Sequence, residues 1–166
     1  MRSGSLHWAR AQRDEEVYRT VARSDDDVLG PIGYLIVEYS GNKYTGDAFR
    51  ELLSLVDRDL VRVLDLRFVM RADDGSLALM ELSDIDADGQ FDFGLFAGVS
   101  SGLLDESDLK EAANALEPNS AAAVMVYENR WAASFVGALR EAGANLVSAG
   151  YIPQDLLLAT LDAQGS

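Results

Sequence analysis

VRVLDLRFVMR, Val61 to Arg71, decides how the chain is read. Leu64, Leu66, Phe68 and Met70 fall on one side of a two-residue period and Asp65, Arg67 and Arg71 on the other, which is the pattern of a strand with one apolar and one polar face. Asp73, Asp74 and Gly75 follow, then SLALMEL at residues 76–82, so the segment is the first arm of a hairpin. A three-residue loop with Gly75 left-handed sets Arg67 opposite Glu81, with Asp65 on the same face, and the expectation is a solvated cross-strand ion pair worth under about 1 kcal/mol.

Upstream, YLIVEYS (residues 34–40) is an apolar, β-rich run bounded by glycines and reads as a first strand. Thr45 then caps a helix whose Phe49, Leu52, Leu53 and Val56 recur at helical spacing. Downstream, Asp105 caps a helix with Leu109, Ala112, Ala113 and Leu116 on one face, stopped by Pro118. AAAVMVY (121–127) is apolar on both faces, as a central strand is. Trp131, Phe135, Ala138, Leu139 and Ala142 predict the inner side of a helix ending at Gly143. LVSAGYI (146–152) predicts a last strand, and Pro153 opens a closing helix to about Leu161. The expected class is α+β, a ferredoxin-like βαββαβ sandwich with an additional αβ unit and a C-terminal helix; an open α/β sheet is the alternative. Residues 1–29 are polar and charged and read as an extension before a single domain over 30–162.

Composition bounds the chemistry. The 166 residues contain no cysteine, which removes disulfides, thiolate nucleophiles and thiolate metal sites and fits a reducing cytoplasm. Fourteen basic against 28 acidic residues leave a net charge of −14, which repels phosphate backbones and anionic lipid, so nucleic acid and bare membrane surfaces are poor partners. No signal-peptide core occurs at the N-terminus and no apolar run is long enough to cross a bilayer, so the expected location is cytoplasmic, with no transmembrane segment.

Few residues suggest a reaction. In DIDADGQFDFGL (84–95), Asp84, Asp86 and Asp88 fit positions one, three and five of a calcium loop, Gly89 its glycine and Asp92 position nine. Position twelve, where a bidentate glutamate closes the coordination sphere, is Leu95, so the loop is read chiefly as an acidic connection with calcium as its only candidate cofactor. GVSSG (98–102) satisfies G-x-S-x-G at Ser100, but the only histidine, His7, precedes it, and no Ser-His pair of the usual order forms. Gly94, Gly98 and Gly102 recur every four residues, a spacing that lets another backbone approach. Glu38, Asp65, Glu81 and Glu128 lie in or at the ends of strands without composing an acid–base dyad.

GPIGYLIVEYSGNKYTG, VRVLDLRFVMRADDGSLALMEL, LEPNSAAAVMVYENRWAASFVGALREAG and LVSAGYIP together resemble domain-of-unknown-function family 6325 over residues 29–161. The Gly41-Asn42 turn, the Val63-Leu64-Asp65-Leu66 strand and the Glu128-Asn129-x-Trp131-Ala132 junction carry the resemblance. The second half is also similar to the stress-associated family 1269, which has a glycine-rich membrane-type hairpin where this chain has DGQFDFGLFAGVSSG. The resemblance implies an uncharacterised bacterial protein and transfers no site. The functional expectation is a non-enzymatic module that works as a homo-oligomer or on a protein partner, in a stress-related setting that the resemblance implies; a cation- or small-ligand-binding module built on residues 84–92 is the alternative, and a metal-dependent enzyme the third.

Overall fold

A computed structural model of the protein describes residues 28–40, 46–80, 96, 99 and 101–164. Strand β1 is Ile32–Ser40, helix α1 Gly46–Asp57, β2 Val61–Arg71, β3 Leu77–Met80, α2 Glu106–Asn114, β4 Ser120–Asn129, α3 Ala133–Glu141 and α4 Gln154–Gln164, with a 3₁₀ turn at Arg130–Ala132. The class is α+β, as the sequence predicts.

The hairpin forms as its turn chemistry dictates. Gly75 has φ 81°, Ala72 donates to Ser76 O at 2.9 Å, and Phe68 stands opposite Met80, the register a three-residue loop predicts. The Ser76 hydroxyl and N–H hold the Asp74 carboxyl below the usual carboxylate range.

The sheet order is β1-β4-β2-β3, antiparallel throughout. β1 and β2 are therefore parallel with β4 between them, and β3 and β4 parallel with β2 between them. Two such split βαβ crossovers also build a ferredoxin-like sandwich, but there the first and third strands hold the centre. Here β2 and β4 do, so the ferredoxin-like order is corrected. The layering is also different. Val69, Ala122, Val124 and Val126 pack with Leu109, Ala112 and Ala113 of α2 and with Leu116 just beyond it, whereas their chain neighbours Phe68, Ala123 and Met125 pack with Phe49, Leu52, Leu53 and Val56 of α1. Consecutive strand residues point to opposite faces, so one helix covers each face. This is why β4 is apolar on both sides.

Helix α2 begins where the sequence places it. Asp105 accepts from Ser107 N at 2.7 Å and Asp108 N at 2.9 Å, and Asp108 returns a bond to Asp105 N, a full capping box. The bonds from Ser107 and Asp108 hold the Asp105 carboxyl below its ordinary value. A depressed folded value gives stability that is present above the unfolded carboxylate value and is lost as pH falls through the folded one. Asp105→Asn is expected to weaken the acid dependence of the melting temperature while leaving the alkaline side unchanged; an unaltered acid limb in a pH series of thermal melts would count against the cap.

Two expectations fail at the C-terminal end. Residues 146–152 form no strand; residues 144–163 are exposed throughout. The additional αβ unit is thus reduced to its helix, because among the described residues no strand lies beside the segment to satisfy its backbone. Across the 3₁₀ turn and α3 the buried positions are Ala132 and Val136, while Trp131 and Phe135 are 67% and 65% exposed. The small side governs this packing: Val28 lies so near Gly137 that a Cβ there would meet its Cγ1 at 3.0 Å. Leu29 joins the α2-face core, so the packed domain begins before residue 30.

Candidate functional site

Three polar side chains are buried in the sheet: Asp65, Ser120 and Glu128. The strand β2 carries a register shift between Val63 and Asp65, with Leu64 as the extra residue. This bulge resets the two-residue period, so Val63 joins Leu66 and Phe68 on the α1 face while Leu64 joins the α2-face core. Asp65, expected in solvent, is fully buried. Its carboxylate accepts from Ser101 N at 3.2 Å, from Leu103 N at 3.3 Å and from the Ser101 hydroxyl, with Arg67 Nη2 at 3.8 Å. The solvated ion pair is corrected to a buried acceptor that fixes the approach to α2. Arg67 remains part of its surroundings, and Glu81 lies outside the described residues.

The role of Asp65 follows from where its donors sit. Phe96 and Val99 pack on the α1 face and Leu103 on the α2 face, so the chain passes from one face to the other across this region. Asp65 holds the second half of that passage. Asp65→Ala removes the acceptor of Ser101 N and of the Ser101 hydroxyl and one of the two acceptors of Leu103 N, and is expected to cost about 2–3 kcal/mol, measured by urea denaturation. A loss below about 0.5 kcal/mol would show that water replaces the carboxylate.

Glu128 lies on the same face of the neighbouring strand, opposite Arg62. Its Oε1 accepts from Gly30 N at 2.8 Å, its Oε2 lies 2.6 Å from Arg62 Nη2, and Arg130 Nη1 is 3.8 Å from Oε1. The Arg62 contact runs off the donor axis, leaving Arg62 Nε and Nη2 and Glu128 Oε2 without an aligned hydrogen bond. It is an ion pair of charge rather than of fit. Arg130 continues outward to Asp59 at 3.2 Å, where Asp59 holds a left-handed turn at φ 54°. Asn129 adds its own tie, donating through Nδ2 to Pro31 O at 3.1 Å. These groups rivet the start of β1 to the end of β4.

The acids do not combine into a reactive pair. Glu38 is exposed and accepts from Glu117 N at 2.9 Å, at the opposite end of the β1–β4 ladder from Glu128. Asp65 and Glu128 each keep separate donors. Asp84, Asp86, Asp88, Asp92 and Ser100 lie outside the described residues, as do Gly94 and Gly98. Among the described residues no three His, Asp or Glu side chains gather as a metal site, and no helix is long and apolar enough to cross a membrane.

What the surface offers is apolar. Trp131, in the 3₁₀ turn, and Phe135, on α3, lie four residues apart and are both exposed, with the indole N–H donating to Asn129 Oδ1 at 3.2 Å. Beyond them Leu146, Val147, Tyr151 and Ile152 precede Leu156, Leu157, Leu158 and Leu161 of α4, all exposed, Val147 at 95%. The Tyr151 and Tyr127 hydroxyls meet, a link from this arm back to the sheet. The sequence pointed to Trp131 and Phe135 but as core; their exposure is the feature it could not supply.

No curated protein and no solved structure matches the chain. A family model matches residues 28–165, which takes in every described element, and the chain belongs to the family of unknown function DUF6325.

Proposed function

We propose that the protein is a non-enzymatic module that works by self-association, with protein surfaces rather than small molecules as its partners. The observation that supports this reading is the exposure of Trp131 in the 3₁₀ turn, Phe135 on α3 and the apolar residues of the arm that follows. Aromatic side chains are among the residue types that dominate protein interfaces, and exposed apolar side chains in this number fit an interaction site. The buried acids support the same reading from the other side, since Asp65 and Glu128 are occupied by backbone and arginine donors.

Light scattering on the full chain tests it. An oligomer whose mass falls on dilution is expected, and Trp131→Ala with Phe135→Ala weakens it at least about tenfold. A monomer at every concentration overturns the reading. The cation-binding alternative rests on Asp84, Asp86, Asp88 and Asp92. With Leu95 in place of the closing glutamate, calcium is expected to raise the melting temperature no more than magnesium does; a saturable calcium-specific rise, abolished by Asp86→Ala with Asp88→Ala, would establish the loop as a site. A stress-related setting, which the sequence resemblance to family 1269 suggests and the family match does not extend to, is part of the same proposal.

A further inference from the structure

We draw no further inference here: the strongest candidate, the exposed apolar patch at Trp131 and Phe135 where the 3₁₀ turn runs into α3, already carries the self-association reading, and nothing in the structure shows what covers it.

Discussion

Glu128→Ala is expected to destabilise the protein by about 3 kcal/mol, at the lower end of the 3–5 kcal/mol typical when one member of a buried ion pair is removed. Glu128 has no exposed surface, while the side chains of Arg62 and Arg130 are 30% and 29% exposed, so the stranded guanidinium groups recover some hydration. That partial exposure sets the discount. The Gly30 N–H also loses its acceptor. Glu128→Gln retains an oxygen for Gly30 but not the charge, and its loss should be intermediate. Urea denaturation monitored by circular dichroism reads both, as a lower midpoint at unchanged slope. A loss under about 1 kcal/mol for Glu128→Ala would mean that the carboxylate barely offsets its own desolvation.

Gly30→Ala is expected to be as severe for a steric reason. A Cβ on Gly30 would lie 2.0 Å from Asn129 O and 2.8 Å from its carbonyl carbon, and neither atom belongs to a side chain that can rotate away. The backbone has to separate at the point where Asn129 N bonds Pro31 O at 2.8 Å, and Leu29, in the core one residue earlier, is pulled with it. Overpacking typically costs 1–3 kcal/mol, and displacing a buried leucine adds to it, so a loss of about 3 kcal/mol or more is expected. Because Gly30 donates to Glu128, the two substitutions share an interaction, and the double variant should lose less than the sum of the singles. Strict additivity would show that the two contacts act separately.

Much of the fold is legible in the sequence because it is written locally. The hairpin follows from Asp73-Asp74-Gly75, α2 from Asp105 and its four-residue apolar spacing, and the centrality of β4 from residues that are apolar at odd and even positions alike. Three features were not local. The bulge at Leu64 changes which residues share a face without altering composition, so a strict two-residue period places Asp65 in water when Ser101 and Leu103, far along the chain, enclose it. From the 3₁₀ turn into α3 two apolar stripes compete, one small (Ala132, Val136) and one aromatic (Trp131, Phe135). Size favours the aromatic one as core, whereas the close approach of Val28 to Gly137 selects the small one. The third is the arm at 146–152, whose β-rich sequence announces a strand although no strand pairs with it among the described residues.

The central place of β4 bears on how the chain comes to be folded during synthesis. β1 and β2 never pair with each other; each pairs with β4, and the bond from Gly30 to Glu128 joins residues 98 positions apart. Until the ribosome has released residue 129, the short β2–β3 hairpin is the one pairing among the described strands that can form, and two apolar strands wait for their shared neighbour. Closing such distant pairs is intrinsically slow, and the waiting strands have open edges. Such strands are open to misassociation while they wait, and a slowed β4, more than a weakened one, is expected to lower the yield of folded protein.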